Sequence, residues 1–149
     1  MSIMTLFDTF RTLNRLAKRW PSIHSALESG DVFDLSKEEY EQPYGAFCAT
    51  ETEHQIGEYF TTFGFVLYYV DRLTFDKSNK TEIHSNAVQF FQYMIPACIA
   101  ALDGDIEFGE VVPFTERFSA ECAGAWCRMS FTTPNETLCD IELREDEDA

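Results

Sequence analysis

The sequence predicts an α+β domain: a mostly antiparallel sheet with an N-terminal helix and a long central helix packed on it. Three observations carry this. Residues 80–102 place apolar side chains at 83, 87, 90, 91, 94, 95, 98 and 102, a helical period. Residues 58–71 are crowded with aromatic and β-branched side chains, the composition of a strand. Residues 106–118 and 123–133 read as strands again, so helices and strands do not alternate in the regular βαβ manner of a parallel sheet.

The first helix is expected over residues 3–20. Leu6, Phe10, Leu13 and Ala17 share one face, and Arg11, Arg15, Lys18 and Arg19 lie opposite. Trp20-Pro21 ends it, since proline supplies no amide hydrogen and disfavours helix at the residue before it. A further turn is expected at 23–28 and a short strand at Val32–Leu35, with a polar loop over 36–43. Tyr44 to Thr50 is expected as a strand and Glu51 to Gln55 as a polar loop.

The strand at 58–71 is apolar on both faces, one with Tyr59, Phe63, Phe65, Leu67 and Tyr69, the other with Phe60, Val66, Tyr68 and Val70. A strand covered on one side only alternates with polar residues, so this chain or a neighbour must cover the second face. Asn79 is expected to cap the central helix with Glu82 reaching back, Pro96 to kink or split it, and Gly104 to stop it. Pro113 marks its strand as an edge or a bulge. A turn at Ser119-Ala120-Glu121 and a last strand at Cys139–Leu143 complete the order α-β-β-β-α-β-β-β. The 149 residues suit one domain, 1–149, with an acidic tail at 144–149.

Composition narrows the function. Eleven basic residues oppose 26 acidic ones, for a net charge of -15, and such a surface repels phosphate. Sequence-specific nucleic-acid binding is therefore not expected. Four of the bases, Arg11, Arg15, Lys18 and Arg19, precede residue 20 and are expected to meet an acidic surface of a neighbouring chain. The five cysteines, Cys48, Cys98, Cys122, Cys127 and Cys139, are odd in number and lack paired spacing, which points to reduced thiols in a cytosol. Neither a leader segment nor an 18-residue apolar stretch is visible, so no membrane partner is expected.

No catalytic pattern stands out. His24, His54 and His84 lack partners at metal-ligand spacing, and Cys122-x4-Cys127 has no second pair. Phosphate-binding and nucleophile-elbow patterns are absent, and Gly57, Gly64 and Gly109 are isolated. Asp71, Asp76 and Asn79 fit turn and capping chemistry better than a cation loop. The expectation is a non-enzyme with no cofactor and no metal. A small enzyme built on Glu58, Tyr59 and Tyr69 is the weaker alternative.

The run DRLTFDKSNKTEIHSNAVQFFQYMI, from Asp71 to Ile95, resembles a small structural protein of tailed bacteriophages. So do PFTERFSAECAGAWCRMSF, from Pro113 to Phe131, and CDIEL, from Cys139 to Leu143. The opening DTFRTLNRLAKRWPSIHSALESGDVFDL fits the same pattern, whereas Pro43 stands before Tyr44 where the pattern has Tyr-Pro. The resemblance is to tail terminators, or tail-completion proteins, of the phage neck. It implies a virion structural protein assembled in the host cytoplasm as a homo-oligomeric ring, a hexamer. That ring would cap the tail tube and join it to the head-tail connector. Oligomer contacts would then fall on Arg11, Arg15, Lys18 and Arg19 and on the apolar strand at Phe65 and Tyr69. The alternative is an acidic inhibitor that mimics DNA and occupies a host protein's basic groove.

Overall fold

The computed structural model describes residues 4–32, 45–116, 121–135 and 144–145. The expected strand beyond Val32, the loop at 36–43, the turn at 119–120, the strand Cys139–Leu143 and the acidic run beyond Glu145 lie outside the described residues. The remainder forms an α+β fold with the elements α1 (Leu6–Lys18), β1 (Ser25–Ala26), β2 (Ala46–Ile56), β3 (Phe60–Arg72), α2 (Lys80–Ala101), β4 (Asp105–Thr115) and β5 (Cys122–Pro134). Five strands run in the order β1-β2-β3-β5-β4, antiparallel except for the β1–β2 pair.

α1 starts where the Thr5 hydroxyl accepts a hydrogen bond from the Asp8 amide at 3.0 Å, and it stops at Arg19, ahead of Trp20-Pro21. Its apolar face packs as expected, with Leu13 and Ala17 fully buried. The turn expected at 23–28 is instead a two-residue strand. The Gly45 carbonyl accepts from the His24 amide at 2.8 Å, and the Phe47 carbonyl accepts from Leu27 at 2.9 Å. Pairing with β2 outweighs the local turn preference there.

β2 also runs further than expected. It continues through Glu51–Ile56, which the sequence reads as a loop, because β3 opposes it as far as the pair Ile56↔Thr61. A bulge lies between Glu51 and His54. Every side chain from Glu51 to Ile56 is exposed, so no burial pattern marks the strand.

α2 runs unsplit through Pro96, whose exposed position leaves the unpaired carbonyl one turn earlier open to water. Asn79 stands at the N-cap position, but its side chain does not cap. Its carbonyl oxygen accepts from the Thr74 amide at 2.8 Å, and its amide donates to the Arg72 carbonyl at 3.1 Å, which closes the β3–α2 loop. Pro113 sits in edge strand β4, as expected, and a bulge lies between Phe108 and Val111.

Both helices cover one sheet face. The main core joins Leu13, Ala17, Phe90 and Met94 to Phe47, Phe65, Leu67, Tyr69, Cys127 and Phe131. Tyr93 ties the helices together: its hydroxyl donates to the Leu16 carbonyl at 2.7 Å, and its ring stacks on Trp20 at 5.2 Å. On the other face Val66, Tyr68 and Val70 are buried beside Leu27, Val32 and Phe114. The second apolar face of β3 is thus covered within the chain at Val66, Tyr68 and Val70, whereas Phe60 at its start is exposed.

Candidate functional site

The six residues expected at contacts between copies separate into two groups. Arg11, Arg15, Lys18 and Arg19 are exposed along the outer side of α1. Phe65 and Tyr69 are 1% and 0% exposed, with Phe63 and Leu67, on the face of β3 that turns toward the helices. The Tyr69 hydroxyl shares a hydrogen bond with Ser22 at 3.1 Å. Strand parity sends both side chains inward, so the expectation that they meet a neighbour is corrected. They are core residues, and the four bases remain.

Three of those bases, all but Arg19, border a groove of about 470 Å³ along α1. Arg11, Arg15 and Lys18 supply its charge, Phe10 an apolar wall and Glu28 a carboxylate at one side. Asn14 also lines it and is 8% exposed, and its Oδ1 has no hydrogen-bond partner among the described residues. A buried acceptor left in that state costs about 1–3 kcal/mol. The guanidinium of Arg11 lies 5.5 Å from the centre of the exposed Phe7 ring.

The outer face of α2 is a second surface of unusual composition. From Ile83 to Leu102 the sequence has no Asp, Glu, Lys or Arg. The inner face buries Ile83, Ala87, Phe90, Phe91, Met94 and Cys98. Ser85, Val88, Gln89, Gln92, Pro96 and Ile99 are exposed at helical spacing and form one continuous stripe. Val88 and Ile99 are 46% and 56% exposed. A surface helix ordinarily carries its charges on this side, and on a chain of net charge -15 their absence needs a cause. The sequence shows the missing charges as the uncharged run from Ile83 to Leu102, but the helical period of its apolar positions marks only the inner face.

Catalytic geometry does not assemble around the residues considered for it. Glu58 and Tyr59 are exposed in the β2–β3 turn, whereas Tyr69 is buried far along β3, roughly 30 Å away at ordinary strand rise. An open groove of about 680 Å³ crosses the helix-free sheet face beside His54, Thr62, Glu107, Arg128 and Ser130. His54 is occupied at both ring nitrogens: Nδ1 accepts from the Gly64 amide at 3.3 Å, and Nε2 pairs with Glu51 at 2.8 Å. With neither nitrogen open, the imidazole has no lone pair for a substrate proton.

Among titrating groups, burial raises the Asp71 carboxyl to about 6, partly offset by the Arg72 amide and by His24, while Glu82 adds to the rise. Burial also pushes the Cys98 thiol up to about 12 and raises Cys127, whose Sγ faces the Gly109 carbonyl at the β4 bulge. Asp76 lies low because the Ser78 amide and hydroxyl and the Thr74 hydroxyl bond to it. That is turn chemistry, and among the described residues no three His, Cys, Asp or Glu side chains cluster as metal ligands. No described helix is long and apolar enough to cross a membrane. No protein-family model matches the chain, and a search of curated proteins found no match.

Proposed function

We propose that this chain is an assembly subunit, a virion structural protein of the phage neck or tail. In this reading copies of it close into a ring that terminates the tail tube and meets the head-side connector. The uncharged outer stripe of α2, from Ser85 to Ile99, carries the reading. The centre of a protein–protein contact is depleted of charge, and charged side chains there would be costly to desolvate. A strongly acidic subunit can approach a copy of itself only through a surface that lacks the repelling charge, and α2 offers one. The basic side of α1 differs from that stripe in chemistry. Contacts between unlike surfaces are heterologous, and they generate rings when the rotation closes.

The sequence resemblance to tail terminators supplies the neck context, and the α+β fold is compatible with it. The test is the mass and shape of the purified full chain. Light scattering over a concentration series should reach a closed oligomer, six times the 17.1 kDa chain mass for a hexamer, and negative-stain images should show rings. A monomer at every concentration would contradict the ring and leave the acidic-inhibitor reading.

A further inference from the structure

We infer that the outer edge of β4, with the flank of α2 above it, is a docking groove for an extended strand of another protein, one that alternates aliphatic and basic residues. β4 is the last strand of the sheet. The Glu116 amide donates to the Cys122 carbonyl at 2.7 Å, and alternation along the strand then turns Val112 and Phe114 toward β5 and Val111, Pro113 and Thr115 outward. Pro113 thus stands where its missing amide hydrogen breaks no bond to β5. Among the described residues nothing pairs with the outward amides of Val111 and Thr115 or with the carbonyls beside them. A row of donors and acceptors at strand spacing is matched by another strand.

A side-chain pocket lies beside this edge. Tyr93 occupies the flank of α2 that meets α1, so Thr81, His84 and Val88 on the opposite flank overhang β4. With Val111, Pro113 and Ala125 they enclose about 210 Å³, room for an aliphatic side chain. His84 fixes the two walls, since its Nε2 donates to the Phe114 carbonyl at 3.0 Å, and the groove is formed before any ligand arrives. A residue paired with outward Val111 or Pro113 would send its side chain to the helix face of the sheet, where this pocket is. Charge selects the alternate positions. β4 exposes Asp105, Glu107 and Glu110 and has no base from Asp105 to Thr115. Glu107 lies on the sheet face opposite Val111, so aliphatic residues and bases alternate along a fitting strand. The same carboxylates oppose a second copy, because the open edge of β2 beyond Phe47 carries Glu51 and Glu53. The groove borders the α2 stripe at Ser85 and Val88, yet it is complete within one copy and does not rest on the ring.

The test uses a fluorescein-labelled synthetic peptide, TKTKVTVKTKT, which reads alike in both directions and sets its lysines on the face away from its valines. Anisotropy follows its binding to the full chain. One comparison peptide carries N-methyl groups on the central backbone amides, which keeps charge and side chains but removes strand pairing; another has Glu in place of Lys. Saturable binding is expected for the first peptide, and affinity lower by about tenfold or more for each of the others. Thr81→Trp, which fills the pocket from its exposed rim, and Glu107→Lys/Glu110→Lys should each weaken binding several-fold. Hydrogen exchange should slow over Asp105–Thr115 when the peptide is bound. Four results would overturn the inference: no saturable binding, equal binding of the N-methylated peptide, affinity unchanged in Thr81→Trp, or an edge of β4 already protected by a second copy, seen as exchange that slows with chain concentration. Light scattering on the same samples reads the ring separately. Binding by a monomer keeps the groove and contradicts the ring, whereas a ring that leaves the peptide free contradicts the groove.

Discussion

Asp71 shows how a single buried carboxyl ties stability to pH. Its side chain is on the helix-facing side of β3, near His24 and Glu82, and its pKa is raised from 3.8 to about 6 by burial. A raised carboxyl pKa means that the folded state favours the protonated form. Its stabilising share is present below pH 4 and is lost as pH rises toward 6; at pH 7 the buried charge is a cost. Asp71→Asn keeps the oxygen that accepts from the Arg72 amide and removes that charge. Urea unfolding should show the variant more stable by about 1–3 kcal/mol at pH 7, with the difference vanishing near pH 3.5. A difference independent of pH would contradict the assignment. The same burial argument predicts that Cys98 and Cys127 resist iodoacetamide at pH 8 in the native protein and react once it is unfolded. Rapid native modification of either would place it outside the core.

At the scale of elements, the strands constrain one another through backbone contact as much as through side chains. A Cβ on Gly124 would collide with the Tyr69 carbonyl of the neighbouring strand, and neither backbone can retreat from the middle of the sheet. Gly124→Ala should cost about 3 kcal/mol in urea unfolding. Gly109→Ala, where a Cβ would meet Arg128 at an ordinary 3.5 Å, should stay within about 1 kcal/mol. Equal costs would overturn this account of the two positions.

The same contrast explains what the sequence made legible. α1 and α2 were legible from the helical period of their apolar positions and β3 from its aromatic and β-branched composition, while proline or turn residues mark the strands that follow. The outer half of β2 was not, since an exposed polar strand leaves no periodic trace and only its partner reveals it. Asn79 was misjudged because its amide has two local uses, and tertiary closure of the loop prevailed over capping. Of the candidate site, the bases of α1 were visible as a charge cluster. Phe65 and Tyr69 were assigned outward because both faces of β3 are apolar, and sequence alone does not say which face meets the helices.

For the whole molecule, the governing fact is a large negative charge divided by one uncharged helix face and one basic one. In the proposed assembly, self-association has to overcome the repulsion, and the uncharged stripe of α2 is the surface proposed for it. Introducing charge there should therefore matter more than adding it elsewhere. Val88 and Ile99 point outward, so Val88→Glu with Ile99→Glu leaves the core residues of α2 untouched. Glu58→Lys, in the exposed β2–β3 turn outside the stripe, serves as a charge-altering control. The deciding measurement is light-scattering mass of the wild type, the double variant and the control, each checked by circular dichroism. The account predicts an oligomer for the wild type and the control and a folded monomer for Val88→Glu/Ile99→Glu. A folded double variant that keeps the wild-type oligomeric mass would contradict assembly through α2.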